Sequence, residues 1–234
     1  MPHPPANSTD KHPKQDFQVE RIAFFSDAVF AIALTLLIIE FRPPHASKET
    51  TNTQLWHELL KMKFQLASLL LSFVLIVSYW MRHHTLFKYV HNYNKEIIVS
   101  NMSVLFPIIF FPFTTAFLYE SVGEGVKNIE IPFRLFLLNN VLAGITTYYF
   151  YKMITRKYKE ISYPMEKKVA QEFEVRLLIM SLSFLLVFSL SFVSFEAAMI
   201  GLAPMAILNF YHRILKKDKN KKTNVEQEHS AAHN

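Results

Sequence analysis

The stretch that decides the fold is residues 21–40, which read RIAFFSDAVFAIALTLLIIE. Its middle, Ile22–Ile39, is apolar except for Ser26, Asp27 and Thr35. An α-helix rises about 1.5 Å per residue and a bilayer core is about 30 Å thick, so this segment is close to the length that crosses a membrane. It therefore predicts a transmembrane helix that carries a single acid.

Further apolar stretches follow along the chain. Four contain no Asp, Glu, Lys or Arg, namely Phe64–Met81, Ile97–Tyr119, Leu135–Tyr151 and Leu177–Phe195. A shorter one, Ala197–Tyr211, comes last. Together with the first stretch they predict an all-α membrane protein with six transmembrane helices.

The charged residues predict the domain limits and the orientation. Residues 1–16 and 216–234 are polar and are expected to be disordered tails, which leaves 17–215 as the transmembrane domain. With six spans and an inner N-terminus, 19 of the 25 Lys and Arg residues fall on the inner side. This asymmetry predicts a protein that crosses the cell membrane several times and has both termini in the cytoplasm.

Composition excludes several classes of function. The chain has no Cys, so it has no disulfide framework, no thiolate metal site and no cysteine nucleophile. Its 4 Gly are too few for a phosphate-binding loop, a dinucleotide fingerprint or a TVGYG filter. No span combines the acids, histidines or serines of a catalytic site. We therefore expect a protein that is not an enzyme, needs no cofactor and binds no nucleic acid.

Asp27 is the informative polar residue of the first span. It lies six residues after Arg21, about 9 Å deeper along a helix, which is too far for the short side chain to reach the surface. Opposite chain direction in the second span places Trp80 and the His83-His84 pair at the same depth, and Asn101 in the third span joins them. Because indole and imidazole N–H groups donate to carboxylates, this cluster is expected to tie span one to spans two and three.

An aliphatic stripe lies on another face of the same helix. Ile32, Thr35, Leu36 and Ile39 follow an i, i+3, i+4, i+7 pattern, and Ile32 is about 140° from Asp27 around the helix axis. The periodicity alone allows such a stripe to pack on a neighbouring helix or to face lipid.

The start of this helix resembles a known family. Arg21, Phe25, Ser26 and Asp27 form the pattern R-x-x-x-F-S-D, which is similar to that of the prokaryotic TMEM175 family of lysosomal-type potassium channels. The resemblance extends to six spans in about 200 residues, and to Trp80 followed by the two histidines.

The resemblance implies a homotetrameric, potassium-permeable channel whose first helix lines a central pore. By resemblance, Ile32, Leu36 and Ile39 would narrow the pore, and Thr35 would contribute to ion preference. The motif residues and the Trp80, His83, His84 and Asn101 group would form a structural network. The expected partners are further copies of the chain, the bilayer and permeant monovalent cations such as K⁺, which would cross passively.

Two alternatives remain from the residues themselves. His83 and His84 suggest a metal site, but adjacent histidines on a helix point about 100° apart and seldom share one ion, so we expect none. A secondary transporter of a cation or small solute is the other candidate function. Transporters usually carry broken helices and paired polar sites at mid-membrane, whereas Asp27 has no counterpart in spans four to six.

Overall fold

The computed structural model describes residues 13–41, 43–44, 47, 49–123, 129–157, 159–198 and 200–201. Within these residues, six α-helices of ten residues or more follow one another, namely α1 (Pro13–Ile39), α2 (Asn52–Lys61), α3 (Lys63–Phe87), α4 (Lys95–Gly123), α5 (Glu130–Lys152) and α6 (Lys167–Leu190). A π-helical turn (Met153–Lys157) and a 3₁₀ turn (Lys159–Ile161) connect the last two. Within the described residues the only β-type pairing is one isolated bridge between Val90 and Ser162. The all-α prediction is thus confirmed.

Helix α4 lies at the centre of the bundle. Helices α1, α3 and α5 pack against it, α1 also packs against α3, and α6 packs against α5. Two interhelical hydrogen bonds support this arrangement from within. The Asn139 amide donates to the carbonyl of Pro107 at 3.0 Å, and the Tyr79 hydroxyl donates to the carbonyl of Asn140 at 3.1 Å.

The distribution of polarity is that of a membrane protein. Exposed side chains along α4 are aromatic and aliphatic, such as Phe106, Ile109 and Phe113, whereas Asn101 and Thr115 are buried inside. Helix α5 shows the same inversion, because its exposed side includes Leu138, Leu142, Ile145 and Tyr149, and its buried side includes Asn139, Asn140 and Thr147. An apolar outside with polar groups bonded inside matches a hydrocarbon solvent.

Four of the described helical segments are long and apolar enough to cross a membrane, namely Gln18–Ile39, Lys63–Phe87, Lys95–Ser121 and Lys167–Leu190. The predicted fourth span, Leu135–Tyr151, lies within α5, a helix of 23 residues. It is not among the four, since its paired asparagines and threonines lower its mean hydropathy.

The predicted sixth span and the two predicted tails lie partly or wholly outside the described residues. Most of the predicted sixth span and all of the predicted C-terminal tail, 216–234, lie outside them. At the other end, the described part of α1, Pro13–Ile39, includes residues 13–16 of the predicted N-terminal tail, and the rest of that tail lies outside the described residues.

The end of the bundle that holds the α3–α4 and α5–α6 connections is stabilised by backbone and side-chain contacts. The amide of Tyr163 donates to the carbonyl of Tyr89 at 2.7 Å, which joins the loop after α3 to the loop before α6. Nearby, Lys152 of α5 forms an ion pair with Glu174 of α6, and the Tyr148 hydroxyl donates to the same carboxylate.

Close approach of α5 and α6 depends on Gly144. A Cβ atom added there would lie 2.4 Å from the Ser181 hydroxyl oxygen and 3.2 Å from the Ser181 Cα atom. Since the second contact is with the backbone, rotation of the serine side chain cannot relieve it, and the two helices would have to separate.

We therefore expect Gly144→Ala to destabilise the detergent-purified protein by about 1–3 kcal/mol through overpacking. Gly201→Ala is the matched control, because a Cβ atom there meets only Val187 Cγ2 at 3.4 Å. In a thermal unfolding assay the midpoint should fall for Gly144→Ala and hold or rise for Gly201→Ala. Equal midpoints for the two variants would contradict the close packing of α5 on α6.

Candidate functional site

Helix α1 presents two different faces. Ser26, Phe30, Ala33 and Leu37, spaced by four, three and four residues, are all buried. This spacing is that of one side of an α-helix, and the side packs against α3 and α4. The orientation of the remaining α1 side chains follows from this contact, because the helix has little freedom to rotate about its axis.

Asp27 lies at the edge of the packed face and is half-buried. Its Oδ1 atom accepts a hydrogen bond of 2.9 Å from the Trp80 indole N–H of α3. The Trp80 ring lies beside the His84 ring, with 5.6 Å between the ring centroids. The acid of α1 is therefore held against α3 by a charge-assisted hydrogen bond.

Ser26 belongs to a second chain of hydrogen bonds. Its hydroxyl donates to the carbonyl of Ile22 at 2.9 Å and accepts from the Asn101 side-chain amide of α4 at 2.9 Å. The Asn101 carbonyl oxygen in turn lies 2.7 Å from Nε2 of His83. Because that oxygen can only accept, Nε2 carries the proton and donates it.

His83 is the most enclosed member of this group. It is 1% exposed and lies among aromatic rings, with 5.4 Å to Phe30, 4.8 Å to Phe87 and 5.7 Å to Phe150 between centroids. These three rings come from α1, α3 and α5 respectively. The imidazole thus sits where several helices meet and extends the α1 contact to α5.

The two histidines do not converge on a common point. His83 is buried against Asn101, whereas His84 is exposed and lies along Trp80. Across the described residues, no group of three or more His, Asp or Glu side chains could hold a metal ion.

The remaining motif residues lie at the surface. Phe25 is exposed, as is Arg21, whose guanidinium donates to the Gln18 side chain at 3.5 Å. The structure thus brings Ser26, Asp27, Trp80, His83, His84 and Asn101 together and places Arg21 and Phe25 outside their hydrogen-bonded chains.

The aliphatic stripe faces away from the rest of the chain. Ile32 is 58% exposed, Ile39 is 68% exposed and Thr35 is also exposed, while Leu36 is half-buried. The Thr35 hydroxyl donates to the carbonyl of Ile32 at 2.8 Å. The described part of the chain therefore leaves uncovered an apolar surface that contains one hydroxyl.

Sequence reasoning missed three contributors. Phe30, Phe87 and Phe150 surround the His83 ring, but nothing in their spacing distinguishes them from ordinary core residues. The different contacts of His83 with Asn101 and of His84 with Trp80 were also not predicted, since they depend on which side of α3 meets α4.

One known family matches the first part of the chain. The sequence model described as "Endosomal/lysosomal potassium channel TMEM175" matches residues 21–112, which include all of the residues in the two hydrogen-bonded chains. A potassium channel of Streptomyces collinus is 29% identical over 192 residues, or 82% of this chain and 90% of that protein. The family description and the name of this relative both say potassium channel.

One further relative matches over a shorter region, and a solved structure matches over most of the chain. A potassium channel of Chamaesiphon minutus is 39% identical over 101 residues, which is 43% of this chain and 49% of that protein. Among solved structures, a lysosomal potassium-selective channel TMEM175 homolog from the same organism matches with a TM-score of 0.67. That match has 24% identity and covers 83% of this chain and 96% of the other. The fold is therefore that of a TMEM175 homolog.

The Asp27–Trp80 bond generates a prediction that the two tryptophans of the chain can test. Trp80→Phe removes the donor to a partly buried carboxylate and should lower the free energy of unfolding by about 1–3 kcal/mol. Trp56→Phe, at an exposed position, is the matched control and should have little effect. Thermal unfolding of both detergent-purified variants checks this, and indistinguishable midpoints would show that Asp27 does not depend on Trp80.

Proposed function

We propose, from the resemblance to the TMEM175 family, that this chain is one subunit of a potassium-permeable channel. Four copies would surround a central axis, with α1 of each copy nearest to it. Ions would move passively down their electrochemical gradient, and no cofactor would be required. We propose K⁺ as the permeant ion because the family description and the relatives named above specify potassium.

The observation that carries the proposal is the division of α1 into two faces. One face is packed within the chain, and the other exposes Ile32, Thr35 and Ile39. The exposed face includes a hydroxyl among aliphatic side chains, a combination suited to a narrow passage for ions. The packing of α1 on α3 and α4 keeps that face directed outward from each subunit, where other copies would meet it.

A ring of isoleucines explains how such a passage could close. Four Ile32 side chains around an axis form an apolar constriction, and a cation cannot shed its water shell there. Leu36 and Ile39 would extend the constriction towards the outer side. A small rotation or outward movement of α1 would widen the ring and let water return, so we assign the gate to Ile32.

Ion preference would come from Thr35. Its hydroxyl is held by the Ile32 carbonyl, so its oxygen lone pairs occupy a defined direction. A ring of four hydroxyls replaces less of the water shell of an ion than a cage of backbone carbonyls does. We therefore expect preference for K⁺ over Na⁺ to be modest.

The exposed surface supports placing α5 in the membrane as well. Its outward apolar row, which includes Leu138, Leu142 and Ile145, faces the same surroundings as the outward rows of the helices that qualify as spans. The predicted sixth span would return the chain to the inner side. This topology leaves both termini in the cytoplasm, in agreement with the positions of the basic residues.

Asp27 has a structural role in this proposal and is not an ion site. Its Oδ1 atom is occupied by Trp80, and it lies about 140° from Ile32 around the helix. Together with Ser26 it sets how α1 leans on α3 and α4. The expected consequence of changing it is poorer assembly, with ion preference left as it was.

Ile32→Asn should make the constriction polar and raise the resting leak current. A barrier lower by about 1.4 kcal/mol would raise it roughly tenfold. Ile38→Asn is the matched control, since Ile38 is 57% exposed on the same helix but lies about 120° away from Ile32. Planar-bilayer recordings from purified protein should show the increase for Ile32→Asn alone, and an unchanged conductance would remove Ile32 from the constriction.

Thr35→Val keeps the shape of the side chain and removes its hydroxyl, so we expect it to weaken preference for K⁺ over Na⁺. Thr35→Ser retains the hydroxyl and should retain most of the preference. Reversal potentials under opposed K⁺ and Na⁺ gradients measure the difference. A shift of equal size in both variants would show that the hydroxyl is not the selective group.

Asp27→Asn is expected to reduce the yield of assembled protein while leaving the reversal potential of the assembled fraction unchanged. Size-exclusion yield and bilayer recording of the same preparation provide both readings. A selectivity change at normal yield would place Asp27 in the ion path. Saturating flux coupled to protons would instead support the secondary transporter.

A further inference from the structure

Helix α2 is amphipathic over its whole length. At about 100° per residue, its apolar side chains fall within an arc roughly 140° wide, and these are Leu55, Trp56, Leu59 and Leu60. The opposite arc holds the polar side chains, and these are Thr53, Gln54, His57, Glu58 and Lys61. Only Asn52, the first residue of the helix, departs from the pattern.

The apolar side of α2 is left uncovered by the described part of the chain. No residue of α2 is buried, and Trp56 is 62% exposed and Leu60 53% exposed. The helix is nevertheless well formed, because Thr51 and Gln54 make a reciprocal capping box at its start. A stable helix with a large exposed apolar side requires something to cover that side.

The position of α2 indicates what covers it. A single residue, Met62, separates α2 from α3, and α3 qualifies as a membrane span from Lys63 onward. Helix α2 must therefore lie at the level where the chain enters the bilayer. Its exposed apolar surface also continues onto the first turns of α3, where Phe64 and Leu66 are exposed.

We propose that α2 lies along the membrane surface, with its apolar side among the lipid acyl chains just below the headgroups. Amphipathic helices of this kind insert about 5–10 Å into that boundary, where tryptophan is favoured. Lys63, the first residue of α3, lies next to the apolar side and suits lipid phosphates. The exposed Glu58–Lys61 ion pair, 2.6 Å long, stays on the side facing water. The lipid surface is thus the partner, and it holds the α1–α3 connection at a fixed depth.

This inference rests on α3 crossing the bilayer but not on ion conduction. A preparation that fails to conduct but passes the test below would leave it intact, and a conducting preparation that fails the test would remove it. Recording ion flux from the same vesicles separates the two proposals.

Tryptophan fluorescence provides the test, since Trp56 and Trp80 are the two tryptophans of the chain. The full-length protein and its Trp56→Phe variant are reconstituted in vesicles of phosphatidylcholine and phosphatidylglycerol, and the difference in emission reports Trp56. Phosphatidylcholine brominated near the headgroup end of its acyl chain should quench Trp56 roughly twofold more than the same lipid brominated near the chain end. Aqueous iodide should quench it weakly.

Variants on the two sides of α2 provide matched controls. Leu60→Gln should reduce quenching of Trp56 by brominated lipid, while His57→Gln should leave it unchanged. Trp56 emission that no brominated lipid quenches, and that iodide does not reach, would mean that a second copy covers the helix. Strong quenching by iodide would mean that the helix lies in water. Either result overturns the proposal.

Discussion

A carboxylate within an apolar helix must find a donor, and that constraint organises the structure. Burying an ionised group without partners is too costly in hydrocarbon for it to face lipid. Asp27 meets the requirement through the Trp80 indole, and its neighbour Ser26 bonds to Asn101. Two adjacent residues of α1 are thereby fixed to two different helices. Once this side of α1 is held, the opposite side has only one direction in which to point.

The two chains of hydrogen bonds differ in kind. The one from Asp27 is charged and partly exposed, and it connects α1 to α3. The one from Ser26 is neutral and buried, and it continues through Asn101 to His83 and its surrounding aromatic rings. The first chain is strong because its acceptor is charged. Breaking the second would cost free energy because buried polar groups would lose their hydrogen-bond partners. Both act at the same end of α1, below the stripe that we assign to the passage.

Much of this arrangement could be predicted from the sequence, because depth along a membrane helix is readable from residue numbers. Chain direction alone placed Trp80 and Asn101 at the level of Asp27. Rotation about an axis was harder, since it depends on which sides of two helices meet. The sequence therefore could not say that His83 would bond Asn101 while His84 lay on Trp80. Nor could it predict that Gly144 permits the approach of α6, because only the partner Ser181 makes that glycine necessary.

The helices beyond α1 were predicted to different degrees. Long uncharged runs marked the cores of α3, α4 and α6, which all qualify as membrane spans. Helix α5 is less apolar, since it carries Asn139 and Asn140, whose side chains are buried inside the bundle. The Asn139 amide donates to the carbonyl of Pro107 in α4. In α5 the polar side chains face the bundle and the apolar ones face outward, which is visible only once the neighbouring helices are known. Mean hydropathy therefore does not identify α5 as a membrane span.

The central claim is that the exposed stripe of α1 lines a passage shared by several copies. The chain has no cysteine, so one cysteine can be introduced at a time without background reaction. The most direct measurement is the block by Cd²⁺ of K⁺ current through Ile32→Cys and Ile38→Cys channels in planar bilayers. The account predicts block of Ile32→Cys and no effect on Ile38→Cys. Block of Ile38→Cys alone, or of neither, would contradict it.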